Sequence, residues 1–431
     1  MKGLMLIVIL ALLLSPVISN IHAVQEKEIK VAIYFSNVKR FAQEVEETID
    51  YSWTKNGVKY VIKPHIISKK EIINGSIFSY DVFIIPGSGR HYFDAMNKKW
   101  RDNVIKFVES GGGYVGICGG ANLASLGFNE RLSPNSVLNL SVLKIANIYV
   151  NDQQDEEWQY LWKSNWRHGG PPINVYIVKN DVPIFDGFYG GYRSIRYWGG
   201  PGMYEGDAKD EKMGEIIPLA IYAEEPMEVA PLHYWKWKNG EWIPYRNVTT
   251  DIKGQYAAIA TTYGDGRLVL FGPHPERKTY FDGHVEEFPV RPNMGPFTWF
   301  IYNWVSNNSS SISYNWWILR RSVAWVAGLS KEEMPYASQT AAYIEEPRYG
   351  VYFNGRKIIY SQKNIVIGRF SIKGKTIDAD EALLYVDGEL VYKGKGDVMM
   401  DVKLQRGKHI IRLIAINENE EAGNKMEVIS L

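Results

Sequence analysis

A parallel β-sheet with helices on both faces, followed by a small all-β sandwich, is the α/β architecture that three features of this chain predict. Strand and helix signals alternate through residues 29–128, the rhythm of a sheet covered by its own crossover helices. The run Val82 to Ile85 is wholly apolar and stops at Pro86-Gly87, as a strand buried on both faces does. From about Tyr349 the hydrophobic period changes to two, which belongs to strands with one face on a core.

Taken in order, Ile29 to Phe35 reads as a first strand, and Val38 to Lys55 as an amphipathic helix with Gly57 just past its end. Tyr60 to Ile67 is a second strand, and Ser68 with Glu71 forms a capping box for a short helix. Asn97 to Ser110 is helical, stopped by Gly111-Gly112-Gly113, and Tyr114 to Ile117 is the next strand. Residues 129–216 break the rhythm and read as an aromatic-rich insertion over the sheet's edge. Regular structure returns with a strand at Ile216 to Ala223. A hairpin follows, in which Gly264-Asp265-Gly266 joins Ala257–Tyr263 to Arg267–Phe271. Helices are expected at Thr298–Val305 and Trp316–Leu329, with a polar loop at Ser306 to Ser313 between them; Arg320 and Arg321 exclude a membrane span in the second.

In the last roughly 85 residues, Asn354-Gly355 and Asp387-Gly388 sit between β-branched and aromatic runs as hairpin turns do. Gly374, Gly394-Lys395-Gly396 and Gly407 are read as further turns, giving a sandwich of immunoglobulin type over residues 345–431. That segment has neither cysteine nor clustered acids, so no antibody-type disulfide or calcium site is read in it; it is expected to act as a spacer or docking module, with specific ligand recognition as the alternative.

Composition narrows the function classes. The 431 residues are 45% apolar with a net charge of +1 and no long basic block. They therefore fill two domains and offer nothing to nucleic acid. Lys2 precedes an apolar run from Leu4 to Leu14 that Pro16 ends, with small residues at Ser19 and Ala23. That run is shorter than a spanning helix needs, so residues 1–23 read as a signal peptide, with a retained N-terminal anchor as the alternative. Export follows in either case, to an extracellular or cell-surface location. Asn74, Asn139, Asn247, Asn307 and Asn308 stand in acceptor sequons for N-glycosylation.

An exported protein tends to accumulate disulfides, yet Cys118 is the single cysteine. Its neighbours set it apart from a buried small hydrophobe. In Gly116-Ile117-Cys118-Gly119-Gly120-Ala121 a nucleophile stands between small residues at a strand-to-helix turn. A tight elbow of this kind requires small neighbours, and it aims the following N–H groups at one point beside a thiolate-stabilising helix start. The segment Pro86-Gly87-Ser88-Gly89 ends another sheet strand, so Gly87, Ser88 and Gly119 are candidates for an oxyanion hole. The strand Leu268–Phe271 leads into Gly272-Pro273-His274-Pro275-Glu276. His274 and Glu276, two apart on extended chain, face the same way, and the carboxylate can orient the imidazole that activates a thiol.

This set of motifs resembles the class I glutamine-amidotransferase-like superfamily, whose fold is flavodoxin-like. Within it the chain is most similar to the domain at the N-terminus of biotin–protein ligases. The resemblance covers about residues 28–305, within a domain extending over 28–330. It implies a Cys–His–Glu triad at Cys118, His274 and Glu276. Tyr197-Trp198-Gly199-Gly200-Pro201 resembles that family's Gly-Gly-Pro segment, which implies substrate contacts at Gly199, Gly200 and Pro201. No biotin-ligase catalytic segment is present, and no synthetase domain is present to receive ammonia. Water is therefore the expected acceptor, in a cysteine-dependent hydrolysis of an amide or peptide-like bond. The expected partner is a small-molecule or peptide substrate, with no cofactor and no amidotransferase synthetase. The alternative is a non-catalytic surface protein that binds a ligand through its aromatic insertion.

Two weaker signals complete the reading. Trp158, Trp162 and Trp166 recur at spacing four on an expected helix, either a buried face or a stacking surface, and Trp235, Trp237 and Trp242 carry the same ambiguity. His284 and Glu287 have metal-like spacing without a second ligand cluster, so no metal site is assigned.

Overall fold

A computed structural model describes residues 25–36, 39–129, 134–151, 170–280, 283–289, 300–305 and 312–431. The proposed signal segment, the Trp158/Trp162/Trp166 stripe and the Asn307 and Asn308 sequons lie outside them.

Five parallel strands form the centre of a mixed sheet. They are β1 (Gln25–Tyr34), β3 (Val58–Ile67), β4 (Val82–Ile85), β5 (Gly113–Ile117) and β14 (Gly266–Phe271). The parallel pairings give the order β3-β1-β4-β5-β14. Side chains alternate across this sheet: Val31, Ile33, Val82, Ile84, Val115 and Ile117 enter one core, whereas Ala32, Tyr34, Phe83, Ile85 and Tyr114 enter the other. With period two, each strand feeds both faces, and each fully buried aliphatic or aromatic side chain contributes about 1.5–3 kcal/mol. One face is covered by α1 (Lys39–Ile49), through Ala42, Val45 and Ile49. The opposite face carries α2 (Lys69–Asn74), α3 (His91–Ala95), α4 (Lys98–Glu109) and α5 (Gly119–Ala124). The Ser68 and Glu71 capping box starts α2, and Asn97 accepts from the Trp100 N–H to start α4. A final helix, α6 (Trp316–Val326), is buried along its whole length on the α1 face.

Residues expected to form an insertion extend the sheet at one edge. The short strands β6 (Ile148–Val150) and β9 (Met203–Glu205) pair with each other. Strands β7 (Pro172–Ile177) and β8 (Tyr192–Arg196) add beyond β10 (Ile217–Tyr222), which pairs with β13 (Tyr256–Tyr263) and so joins β14. The hairpin of β11 (His233–Lys238) and β12 (Glu241–Asn247) stands apart, with Trp237 packed on Trp242. Three more short strands follow: β15 (Lys278–Tyr280), β16 (His284–Pro289) and β17 (Phe300–Val305). A fourth, β18 (Ile312–Tyr314), pairs back with β15.

Three expectations are corrected. The helix expected over Val38–Lys55 ends at Ile49, and Tyr51–Lys55 forms β2. Asn56-Gly57, both at positive φ, make a hairpin turn to β3 instead of a helix C-cap. Tyr51 and Trp53 are aromatic β-formers that find a partner strand on each side. Residues Phe300–Val305, expected to be helical, form β17 against β16; the aromatic and β-branched run Phe-Ile-Tyr-Asn-Trp-Val favours that pairing. Gly374, expected in a turn, lies within a strand, where a Cβ would come 2.6 Å from Leu413 Cδ2.

From Ala341 onward the described chain is all β, around a separate core of fourteen buried residues that includes Ile344, Phe370, Leu384 and Leu413. Its strands are β19 (Ala341–Glu346), β20 (Gly350–Phe353), β21 (Arg356–Tyr360), β22 (Asn364–Ile367), β23 (Phe370–Ile377), β24 (Glu381–Val386), β25 (Glu389–Gly394), β26 (Val398–Val402), β27 (Gly407–Asn417) and β28 (Glu420–Ser430). The Asn354-Gly355 and Asp387-Gly388 turns each hold both residues at positive φ, as the tightest hairpins require. These strands do not hang free. β28 pairs antiparallel with β2, and Arg348 reaches Glu47 of α1 at 2.9 Å. The carboxylate of Glu420 bonds Tyr51, Ser338 and Thr340 in the buried joint.

Candidate active site

Three adjacent parallel strands, β4, β5 and β14, end at Pro86-Gly87, Cys118 and Gly272-Pro273-His274. The carboxyl edge of a parallel sheet is where its loops converge. Here the register of those strands brings the three sequence-predicted motifs to one point.

Cys118 is held at φ 52°, ψ −109°, a conformation unfavourable for an L-residue. Its N–H donates to Phe271 O at 2.7 Å and its carbonyl accepts from the Ala121 and Asn122 N–H groups, so both neighbouring elements enforce the turn. The surrounding glycines are sterically required. A Cβ at Gly116 would lie 2.6 Å from Gly120 O, and one at Gly120 would lie 2.1 Å from Ile85 O. Cys118 is a free thiol and only 5% exposed, but it lines the cleft described below.

His274 is fixed through its backbone, whose N–H donates to Arg196 O at 2.8 Å. Its Nδ1 lies 2.7 Å from Glu276 Oε1, and both side chains are almost wholly buried. The ring's Nε2 makes no aligned hydrogen bond. A Cβ on Gly87 would lie 2.7 Å from His274 Cε1, 3.5 Å from its Nε2 and 3.1 Å from Cys118 Cβ, so thiol, imidazole and the β4 loop surround one small space. Burial alone would push the imidazole pKa down, but the Glu276 charge and contact with the Cys118 thiol outweigh it and raise it to about 9. Burial likewise opposes ionisation of Glu276, yet the His274 charge and hydrogen bond, aided by Arg277, hold its pKa below the usual value.

The oxyanion candidates lie together. The Gly119 and Ser88 backbones are in contact, a Cβ on Gly119 falling 3.0 Å from Ser88 N. Among the described residues, the N–H groups of Gly87, Ser88 and Gly119 donate to no backbone carbonyl. His91, fully buried, lies with Nε2 2.8 Å from Pro86 O and fixes the start of that loop. Gly199, Gly200 and Pro201 are buried, and the last two pack on the Gly272 backbone: a Cβ on Gly200 would lie 1.8 Å from Gly272 O, and one on Gly272 would lie 2.2 Å from Pro201 O. It is Trp198, just before them, that lines the cleft.

Several site residues escaped the sequence reading. Arg277 stacks on Trp198 at 4.1 Å and pairs with Glu44 at 2.8 Å, and Arg196 lies over the same indole at 5.3 Å. Arg277 directly follows Glu276, and that adjacency was the available signal. Nothing local marks Glu44, Glu47 or Arg348. The spacing of His284 and Glu287 does not produce a shared site: on β16 a spacing of three puts them on opposite faces. Glu287 instead accepts from Trp235 Nε1 at 2.9 Å and lies 3.1 Å from His233 Nδ1. Among the described residues no group of three His, Cys, Asp or Glu could hold a metal, and no helix is long and apolar enough to cross a membrane.

Cys118, His274, Trp198 and Gly87 lie in a cleft of about 1230 Å³. Its other wall comes from the C-terminal strands, through residues that include Tyr360, Lys363, Lys408 and Lys425.

No family model and no curated protein matches this chain. Solved structures with partial likeness include PurLQS from Thermotoga maritima, with 15% identity over 58% of this chain and 89% of that one and a TM-score of 0.33. A protein described as a GMP synthase subunit, from Thermoplasma acidophilum, has 9% identity over 69% and 94% of the two chains, with a TM-score of 0.32. The fibronectin(III)-like modules of Clostridium thermocellum CbhA cover 21% of this chain and 94% of their own, at 15% identity and a TM-score of 0.16.

Proposed function

We propose that this chain is an exported, cysteine-dependent hydrolase of an amide or peptide-like bond. In this reading its N-terminal part is a flavodoxin-like, glutamine-amidotransferase-like domain, and residues 345–431 form an immunoglobulin-like sandwich. The strand order β3-β1-β4-β5-β14 supports the first assignment, and the separate all-β core supports the second. The observation that carries the function is the closeness of a strained Cys118 to the buried His274 around Gly87, with the ring's far nitrogen 2.7 Å from Glu276.

Chemically, His274 is protonated below about pH 9 and so carries the proton that the leaving nitrogen needs. The Cys118 thiolate adds to the amide carbonyl, and the Gly119 and Ser88 N–H groups hold the resulting oxyanion. His274 gives its proton to the leaving nitrogen as the C–N bond breaks, leaving a thioester and a free amine. The neutral ring then takes a proton from water, the hydroxide adds to the thioester carbonyl, and the collapse of that adduct expels the thiolate and releases the acid. Glu276 holds the Nδ1 proton and compensates the imidazolium throughout.

Access of the cleft to Cys118 favours chemistry over the alternative of ligand binding alone. Iodoacetamide labelling of the folded protein at neutral pH tests this: rapid modification of Cys118 that slows in His274→Ala is expected. A Cys118 that labels only after denaturation overturns the hydrolase reading. Profiling against amide and peptide libraries then identifies the bond cleaved.

A further inference from the structure

The lining of the reactive cleft is far more basic than the chain. Among the described residues it comprises eight lysines and arginines against three carboxylates, whereas the whole protein has a net charge of +1. Part of this charge is consumed internally. Arg40 and Arg277 pair with Glu44, Arg348 pairs with Glu47, and Lys408 stands 3.4 Å from Glu427. Lys39, Lys363 and Lys425 have no carboxylate within ion-pair distance among the described residues, and all three are exposed. Lys39 opens α1, whereas Lys425 lies on β28 and Lys363 in the bend between β21 and β22. Two exposed aromatic rings, Phe93 at 65% and Tyr360 at 57%, line the same cleft, one from each wall.

We infer that the C-terminal β module is the second half of the substrate site, and that the cleft selects an acidic peptide-like chain whose carboxylates lie along the Lys39, Lys363 and Lys425 rim. Unpaired ammonium groups facing a partly enclosed cleft raise the local concentration of anions. Exposed aromatic rings beside them take the apolar parts of a peptide while its charges stay at the wet rim. Nothing in this requires a free-standing docking role for the C-terminal strands, since their anchoring through β2 and through the Arg348–Glu47 pair holds that wall against the thiol. The identity of the scissile bond rests on the hydrolase reading above, but the charge selectivity does not.

The test uses the full chain with Cys118→Ala, so that binding is read without turnover. Fluorescein-labelled peptides of one length, Glu-rich, Gln-substituted and Lys-substituted, are titrated by anisotropy, with polygalacturonate as a competing polyanion. The Glu-rich peptide should bind best, and rising salt should erase its advantage. At water-like dielectric each rim charge some 8 Å from a carboxylate is worth about twofold, so Lys363→Ala with Lys425→Ala should weaken that peptide roughly fivefold. The double variant should leave the Gln-substituted peptide unchanged, and Lys363→Arg with Lys425→Arg should restore affinity. Equal binding of the Glu-rich and Gln-substituted peptides, an unchanged affinity in the alanine pair, or tighter binding of polygalacturonate than of the acidic peptide overturns the inference. Acidic-peptide selectivity in a parent protein that cleaves nothing removes the hydrolase reading and leaves the acidic-peptide site. Efficient cleavage without charge preference does the reverse.

Discussion

Replacing Glu276 by Gln keeps the size of the side chain and an oxygen for His274 Nδ1 but removes the charge on which the ring depends. The pair is 2.7 Å apart, with side chains 6% and 3% exposed, so water screens it little. His274 is raised from 6.5 to about 9 against the pull of burial, with Glu276 the largest of the raising influences. A histidine raised on folding contributes stability that is full below its unfolded pKa and is lost as pH rises through the folded one. By linkage that contribution is about 3 kcal/mol at pH 6, about 2 kcal/mol at pH 7.5 and nearly gone at pH 9. Glu276, held low, contributes above its usual value and loses that contribution as pH falls, so the pair acts between about pH 4.5 and 9. In Glu276→Gln, burial acts on the ring without its counter-charge. The ring sheds its proton, which limits the loss to about 3 kcal/mol. Urea unfolding followed by tryptophan fluorescence, in parent and variant at pH 6, 7.5 and 9, should therefore give a destabilisation that shrinks steadily with pH. A loss of equal size at pH 6 and pH 9 refutes the charge pairing and reduces Glu276 to a packing residue.

Other outcomes follow from the same geometry. Gly87→Ala would set a methyl 2.7 Å from His274 Cε1 and 3.1 Å from Cys118 Cβ; it should slow thiol labelling at neutral pH and cost about 1–3 kcal/mol, and unchanged labelling would remove Gly87 from the site. Arg348→Ala strands Glu47 at the joint between α1 and the C-terminal strands and should cost about 3–5 kcal/mol in thermal or urea unfolding. A chain ended at residue 335 lacks the β28 partner of β2 and the Glu420 bonds to Tyr51; it should be less soluble than the full chain, and a fully soluble, stable fragment would show that the joint is dispensable. If residues 1–23 are a signal peptide, mass spectrometry of surface material should find a mature N-terminus near Asn20 or Val24; an intact Met1 identifies a retained anchor.

The sequence by itself determined what is local. Strand–helix alternation, the Ser68 and Asn97 helix starts, and the Asn354-Gly355 and Asp387-Gly388 hairpins are set by the φ,ψ demands and hydrogen-bonding chemistry of a few adjacent residues. The elbow belongs to this class, since small residues around Cys118 answer a steric demand a few ångströms across. His274 and Glu276 were legible because two residues on extended chain share a side. Tertiary structure decided whatever needed a distant partner. Tyr51–Lys55 continues the preceding helical pattern and becomes a strand because two strands pair with it, β3 through the adjacent Asn56-Gly57 hairpin and β28 from more than 360 residues away. Phe300–Val305 likewise takes its form from β16. The stacking of Arg277 and Arg196 on Trp198, the packing of Gly200 and Pro201 on the Gly272 backbone, and the C-terminal wall of the cleft have no local signature. Each depends on which surfaces the folded sheet brings together, and burial and long-range hydrogen bonding override intrinsic propensity wherever the two compete.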